Sequence, residues 1–112
     1  MPSENFPVIV SQDDQKSEVT ALIERMRATH PLIHIQRTNR TLPQHVPQNQ
    51  GAYYQIAAHY KYALSHVFDT LQYSSVIILE EDIEVAPDFF TYFAAMQWLL
   101  FTDRSLYCVS GE

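Results

Sequence analysis

Three carboxylates in a row, Glu80-Glu81-Asp82, follow directly on the apolar run Val76-Ile77-Ile78-Leu79. Side by side, three acids repel one another, and a divalent cation among them lowers the cost of gathering them. Oxygen-only ligands favour a hard ion such as Mg²⁺ or Mn²⁺, which keeps waters and bridges to substrate phosphates. The plainer alternative is a solvated strand end before a loop. The apolar run itself does not alternate, so both of its faces should be covered, as in the middle of a parallel sheet flanked by helices. Open α/β sheets bind ligands beyond the carboxyl ends of their strands, and that is where the triplet falls.

The elements that must position it read as an alternating series. Pro7-Val8-Ile9-Val10 is a short strand, and Ser11 or Asp13 can cap the helix expected over 15–29, whose Val19, Leu22, Ile23 and Met26 share one face. Pro31 stops that helix, and Leu32-Ile33-His34-Ile35 gives a second strand, so the opening is β-α-β with a right-handed crossover. Residues 37–49 form a polar loop with Pro43 and Pro47, and Asn39-Arg40-Thr41 within it fits the N-glycosylation pattern. Gly51 opens a helix over 52–71 with Ile56, Tyr60, Ala63, Val67 and Leu71 on one face. After the carboxylate strand, Pro87 suits the first turn of a third helix with Phe89, Phe93, Met96 and Leu100 as its buried stripe. A last strand is expected over 105–110. The sum is a three-layer α/β domain with a mostly parallel sheet.

Composition narrows the function classes. At 112 residues the chain is one domain at most, and its 46% hydrophobic content can supply a core. A net charge of -6 without a basic stripe argues against nucleic acid or an anionic membrane as partner. No apolar stretch reaches the roughly 18 residues that span a bilayer, and Met1-Pro2-Ser3-Glu4-Asn5 does not open a secretory signal. Cys108, the single cysteine, is either a buried free thiol or one half of a bridge to residues outside this sequence. With two glycines in all, neither glycine-rich phosphate loop can be written.

Leu79-Glu80-Glu81-Asp82-Ile83-Glu84-Val85-Ala86-Pro87-Asp88-Phe89-Phe90, with Tyr92-Phe93 after it, closely resembles the metal-motif segment of the N-acetylglucosaminyltransferase I family. Three more stretches match in order: Pro7-Val8-Ile9-Val10-Ser11-Gln12-Asp13, then Gln50-Gly51-Ala52-Tyr53-Tyr54-Gln55-Ile56-Ala57-Ala58-His59-Tyr60, then Ser105-Leu106-Tyr107-Cys108-Val109-Ser110. The resemblance implies a GT-A (Rossmann-like) fold and an inverting, Mn²⁺-dependent transfer of GlcNAc from UDP-GlcNAc. The acceptor is a mannose of a glycoprotein glycan, the linkage β-1,2, and the place the lumenal side of the Golgi membrane. Carried over by residue, Asp82 is the metal ligand, Glu81 meets the ribose and Glu80 the GlcNAc hydroxyls. Asp13 meets the uracil ring, and Ile56 and His59 line the nucleotide pocket. A UDP leaving group needs its growing negative charge neutralised, and a metal does this without proton transfer.

Each residue also has a plainer role. Asp13 alone reads as a helix cap, Ile56 as core and His59 as a core-edge histidine. Tyr53 and Tyr54 suit a stacking wall or a helix packed on the sheet. His66 lies about 10.5 Å further along the helix from His59, too far to share one metal. Pro31 separates His30 from His34, so they share no helical face.

The sequence departs from the family's pattern at Glu81, where the N-glycan branch carries Asp and the O-mannose branch resembles this chain. It departs again at Asp14, where the family has a disulfide-forming cysteine. The resemblance also implies that the family's first β-α unit would precede Phe6, and that the catalytic base and the acceptor-binding half would follow Glu112. Residues 1–112 are then a partial donor- and metal-binding domain without a catalytic residue of its own, expected to be inactive alone. The alternatives are a non-catalytic fragment or truncated paralogue acting by protein interaction, and, resting on the acids alone, a Mg²⁺-dependent phosphohydrolase.

Overall fold

The structure is a computed structural model and describes residues 6–111. The readings made on Met1-Pro2-Ser3-Glu4-Asn5 and on Glu112 lie outside the described residues. The chain divides into two compact units, 6–72 and 73–111.

In the first unit, strand β1 (Ile9–Gln12) leads to helix α1 (Ser17–Thr29) and strand β2 (Ile33–Gln36). The strands pair in parallel from Ile9↔Ile33 to Gln12↔Gln36, so the sequence-derived β-α-β unit and its parallel pairing are present. Ile23 of α1 and Ile35 of β2 are buried, which is the apolar face of the crossover closing on the sheet. On α1, Leu22 and Met26 remain about half exposed, so the predicted stripe is buried only at Ile23.

The helix start differs from expectation. Neither Ser11 nor Asp13 caps α1. Asp14 Oδ1 accepts the Lys16 amide at 3.1 Å and the Gln12 side-chain amide at 2.8 Å, turning the chain into the helix. These bonds, Gln12's first, hold the Asp14 carboxyl below the usual carboxylate range.

A 3₁₀ turn (Gln48–Gln50) runs into α2 (Gly51–Ser65) and then a π-helical turn (His66–Thr70). Gly51 is buried because Leu42 lies against it: a Cβ there would stand 3.1 Å from Leu42 Cδ1. The Leu71 amide donates to His66 O at 2.9 Å, closing the wide turn that sinks Val67 into the core. The chain leaves this helix through Gln72 at φ 59°, a left-handed position held by a residue other than glycine.

In the second unit, α3 (Phe89–Thr102) starts just after Pro87, as the sequence predicts. Phe89, Phe93, Met96 and Leu100 are the less exposed residues of α3, and Trp98 and Phe101 stand out at 70% and 54% exposure. Tyr92 donates its hydroxyl to Ser110 O at 2.7 Å, and the Gln97 amide donates to Ser75 Oγ at 2.9 Å. Phe93 lies against Gly111 and packs edge-on with Phe89 and Tyr92.

Two predicted strands are not present. Residues 75–80 and 105–110 run without a hydrogen-bonded ladder, and the sheet consists of β1 and β2. A strand exists only through ladder bonds to a neighbour, and among the described residues no third strand offers its edge to either segment. Ile78 and Leu79 are accordingly about half exposed. Cys108 is exposed and unbridged, not the buried thiol that its place in a strand suggests.

Candidate functional site

Asp13 stands one residue past the carboxyl end of β1, the end at which open α/β sheets bind ligands. Arg37 stands one residue past β2, and the Arg37 amide extends the ladder by donating to Gln12 O at 2.8 Å. The parallel register therefore sets Asp13 and Arg37 side by side, and Arg37 Nε donates to Asp13 Oδ1 at 2.5 Å. Arg40 Nη1 reaches Asp13 Oδ2 at 2.7 Å and also the backbone carbonyl of Asp13.

The Arg37 side chain is only 8% exposed and spends its other donors on Asn39 O and on Gln55 O and Oε1 of α2. Gln55 closes the circuit by donating to Arg40 O at 2.7 Å. Burial pushes the Asp13 carboxyl up, but the hydrogen bonds from Arg37 and Arg40, with the nearby His59, outweigh it and leave the group below its ordinary range. The same pair raises the Arg37 guanidinium. His59, one helical turn beyond Gln55, shares a hydrogen bond of 2.8 Å between its Nε2 and Ser11 Oγ.

One end of the first unit thus gathers Asp13, Ser11 and His59 with the Arg37–Gln55–Arg40 circuit. Ile56 follows Gln55 on α2 and is 57% exposed, so it is an apolar surface residue and not core. Tyr53, still more open, and Tyr54 border a shallow recess with Val46 and Gln50. A second open recess, on the α1 side, contains none of the expected site residues. His34 bonds Gln12 and Glu24, and His30 bonds Thr29, each a local structural contact.

In the second unit, Glu81 and Asp82 form a turn in which the Ile83 amide donates to Glu80 O at 3.3 Å. All three acids are exposed. Among the described residues no three of His, Cys, Asp and Glu converge on one point that could hold a metal. Such a donor set does not suit a closed structural zinc site. It fits a hard ion held by one or two carboxylates and completed by phosphate and water.

The sequence pattern gives Arg37, Arg40 and Gln55 no role of their own, since the cations look scattered along the chain. A signal existed: an acid and a base occupy equivalent positions just beyond two strands that a β-α-β reading makes parallel neighbours.

Fold and site together define a mixed α/β segment: a parallel β-α-β unit with an acid at its ligand end, and an acidic turn leading into a proline-started helix. Residues 1–111 match the GNT-I family model. Over 107 residues the chain is 36% identical to the alpha-1,3-mannosyl-glycoprotein 2-beta-N-acetylglucosaminyltransferase of Arabidopsis thaliana, covering 95% of this chain and 23% of that protein. This chain belongs to the GNT-I family. It spans about a quarter of the length of that relative. No helix of the described residues is long and apolar enough to cross a membrane.

Proposed function

We propose that the chain is the donor- and metal-binding portion of a GT-A N-acetylglucosaminyltransferase. The supporting observation is family membership along the whole chain, carried by a relative named for GlcNAc transfer to a mannosyl glycoprotein. On this reading Asp82 would hold Mn²⁺, Glu81 would contact the ribose of UDP-GlcNAc and Glu80 its sugar hydroxyls. Asp13, Ile56 and His59 hold the uridine. The metal, when bound, neutralises charge on the leaving diphosphate. The reaction served is an inverting transfer to a mannose of a glycoprotein glycan in β-1,2 linkage, on the lumenal side of the Golgi membrane. None of these residues is proposed as the base that deprotonates the acceptor; their proposed work is to bind the donor.

Thermal unfolding with Mn²⁺ and UDP-GlcNAc, singly and together, tests the proposal, because a ligand that binds only the folded state raises the midpoint. A rise that needs both and disappears in Asp82→Ala is expected; an equal rise in Asp82→Ala would refute the metal assignment. A second reading, a non-catalytic chain that acts by pairing with another glycosyltransferase chain, is favoured by the exposed apolar surface of α3. Sedimentation of a single monomeric species, alone and mixed with such a chain, would count against it.

A further inference from the structure

The circuit around Asp13 carries an inference that rests on the donor reading above and goes beyond it. We propose that Arg37 is a positioning residue for the nucleotide base, fixing Asp13 as an acceptor-only group that selects uracil over cytosine. The argument starts from the donors. Arg37 Nε holds Asp13 Oδ1 while its terminal nitrogens are tied to Asn39 O and to Gln55 O and Oε1, so the guanidinium has no freedom to turn away. Gln55 in turn bonds Arg40 O, and Arg40 holds the second carboxylate oxygen. Both oxygens of Asp13 are therefore oriented from outside by the segment after β2 and by α2.

A carboxylate accepts at about four lone-pair sites, and the two arginines occupy one on each oxygen. The Asp13 side chain keeps 21% of its surface exposed, so the carboxylate is not closed off from a ligand. The groups that face it are the guanidinium ions of Arg37 and Arg40 from the segment after β2 and the imidazole of His59 from α2, and the two guanidinium ions above all favour its ionised form. An ionised carboxylate can only accept. Uracil presents an N3–H donor where cytosine presents a bare N3 lone pair, and cytosine's own donor is the neighbouring N4 amine. A carboxylate held opposite N3 by Arg37 and Arg40 therefore favours uracil, whereas one free to swing could accept from either base. Unlike Asp13, Arg37 need touch no ligand to set this preference.

The test is calorimetric titration of the full 112-residue chain with UDP and separately with CDP, with circular dichroism on each variant as a check of folding. The variants are Asp13→Asn, Arg37→Met, Gln55→Met, and Asp13→Asn combined with Arg37→Met. The unsubstituted chain is expected to favour UDP by about tenfold or more, the scale of one hydrogen bond to a charged group. Asp13→Asn should erase that preference, Arg37→Met should remove most of it, and the double variant should lose nothing beyond Asp13→Asn, since the two act as one unit. Gln55→Met leaves the ion pair in place and loosens only its anchor, so it should lower the preference less; it carries the test if Arg37→Met does not fold. Equal weakening of UDP and CDP in both Arg37→Met and Gln55→Met, or an additive double variant, would overturn the positioning role while leaving Asp13 in place. If the unsubstituted chain shows no preference, or Asp13→Asn keeps it, the base contact itself is wrong and the inference goes with it.

Discussion

Replacing Arg37 with methionine should cost the first unit about 2–3 kcal/mol at neutral pH. The figure is built from the contacts. A hydrogen bond to a charged group contributes about 1.5–3 kcal/mol, and breaking a fully buried ion pair costs about 3–5 kcal/mol. Arg37 is buried, but Asp13 keeps 21% of its side chain in water and retains Arg40, which places the loss below the fully buried value. Asn39 O and the Gln55 side chain can turn to solvent and add little. In urea, with a slope of about 1–1.5 kcal/mol/M for a small domain, the midpoint should fall by about 2 M.

The loss should also depend on pH with a definite sign. The folded Asp13 carboxyl lies below its ordinary range, while the unfolded group titrates near 3.9. Its contribution is therefore complete above the unfolded value and is lost as the pH falls through the folded one. The gap between the parent chain and Arg37→Met should be constant from about pH 6 to 8 and should narrow below about pH 4. A gap under about 0.5 kcal/mol at pH 7, or one equally large in acid, would refute the reasoning, since the first is the size of an ordinary surface substitution.

Other outcomes follow from burial and backbone. Ile35→Ala and Ile23→Ala, both at core positions, should each cost about 2–4 kcal/mol in chemical unfolding. Ile56→Ala, at 57% exposure, should stay within about 0.5 kcal/mol of the parent while weakening UDP binding; unchanged binding would remove Ile56 from the nucleotide pocket. Gln72→Gly should raise stability by about 0.5–1 kcal/mol, because a side chain at φ 59° is strained where glycine is not. Trp98→Glu should leave the unfolding midpoint nearly unchanged and raise the concentration at which the chain stays monodisperse in light scattering.

Local pattern made the helices and the β-α-β opening legible, because apolar spacing, Pro31 and Pro87 act within a few residues of the structure they specify. The strand reading of 75–80 failed for the opposite reason. Its apolar run reports that it is suited to burial, but a ladder belongs to two strands, and no neighbour is written into the run itself. The site divides in the same way. That Asp13 lies at a strand end was readable, yet its cap role gave way to Arg37, 24 residues away, because a charged partner outcompetes an amide for a carboxylate. Ile56 falls on the apolar spacing that ends at the buried Val67, yet it is 57% exposed, because spacing names a face of the helix and not how deeply each turn of that face is covered.

The charge-free surface of α3 has a consequence for how that helix is indexed. Most helices find their rotational setting from solvation: one side is polar, and any turn about the axis is penalised at once. From Phe89 to Thr102 there is no such compass, so water barely distinguishes the side bearing Phe93 from the side bearing Trp98. The angular setting rests instead on specific contacts, among them Tyr92 on Ser110, Gln97 on Ser75 and Phe93 on Gly111. Where rotations are told apart by particular contacts and not by solvation, the landscape is locally frustrated, and losing one contact changes which face is inward before it changes whether the helix is formed.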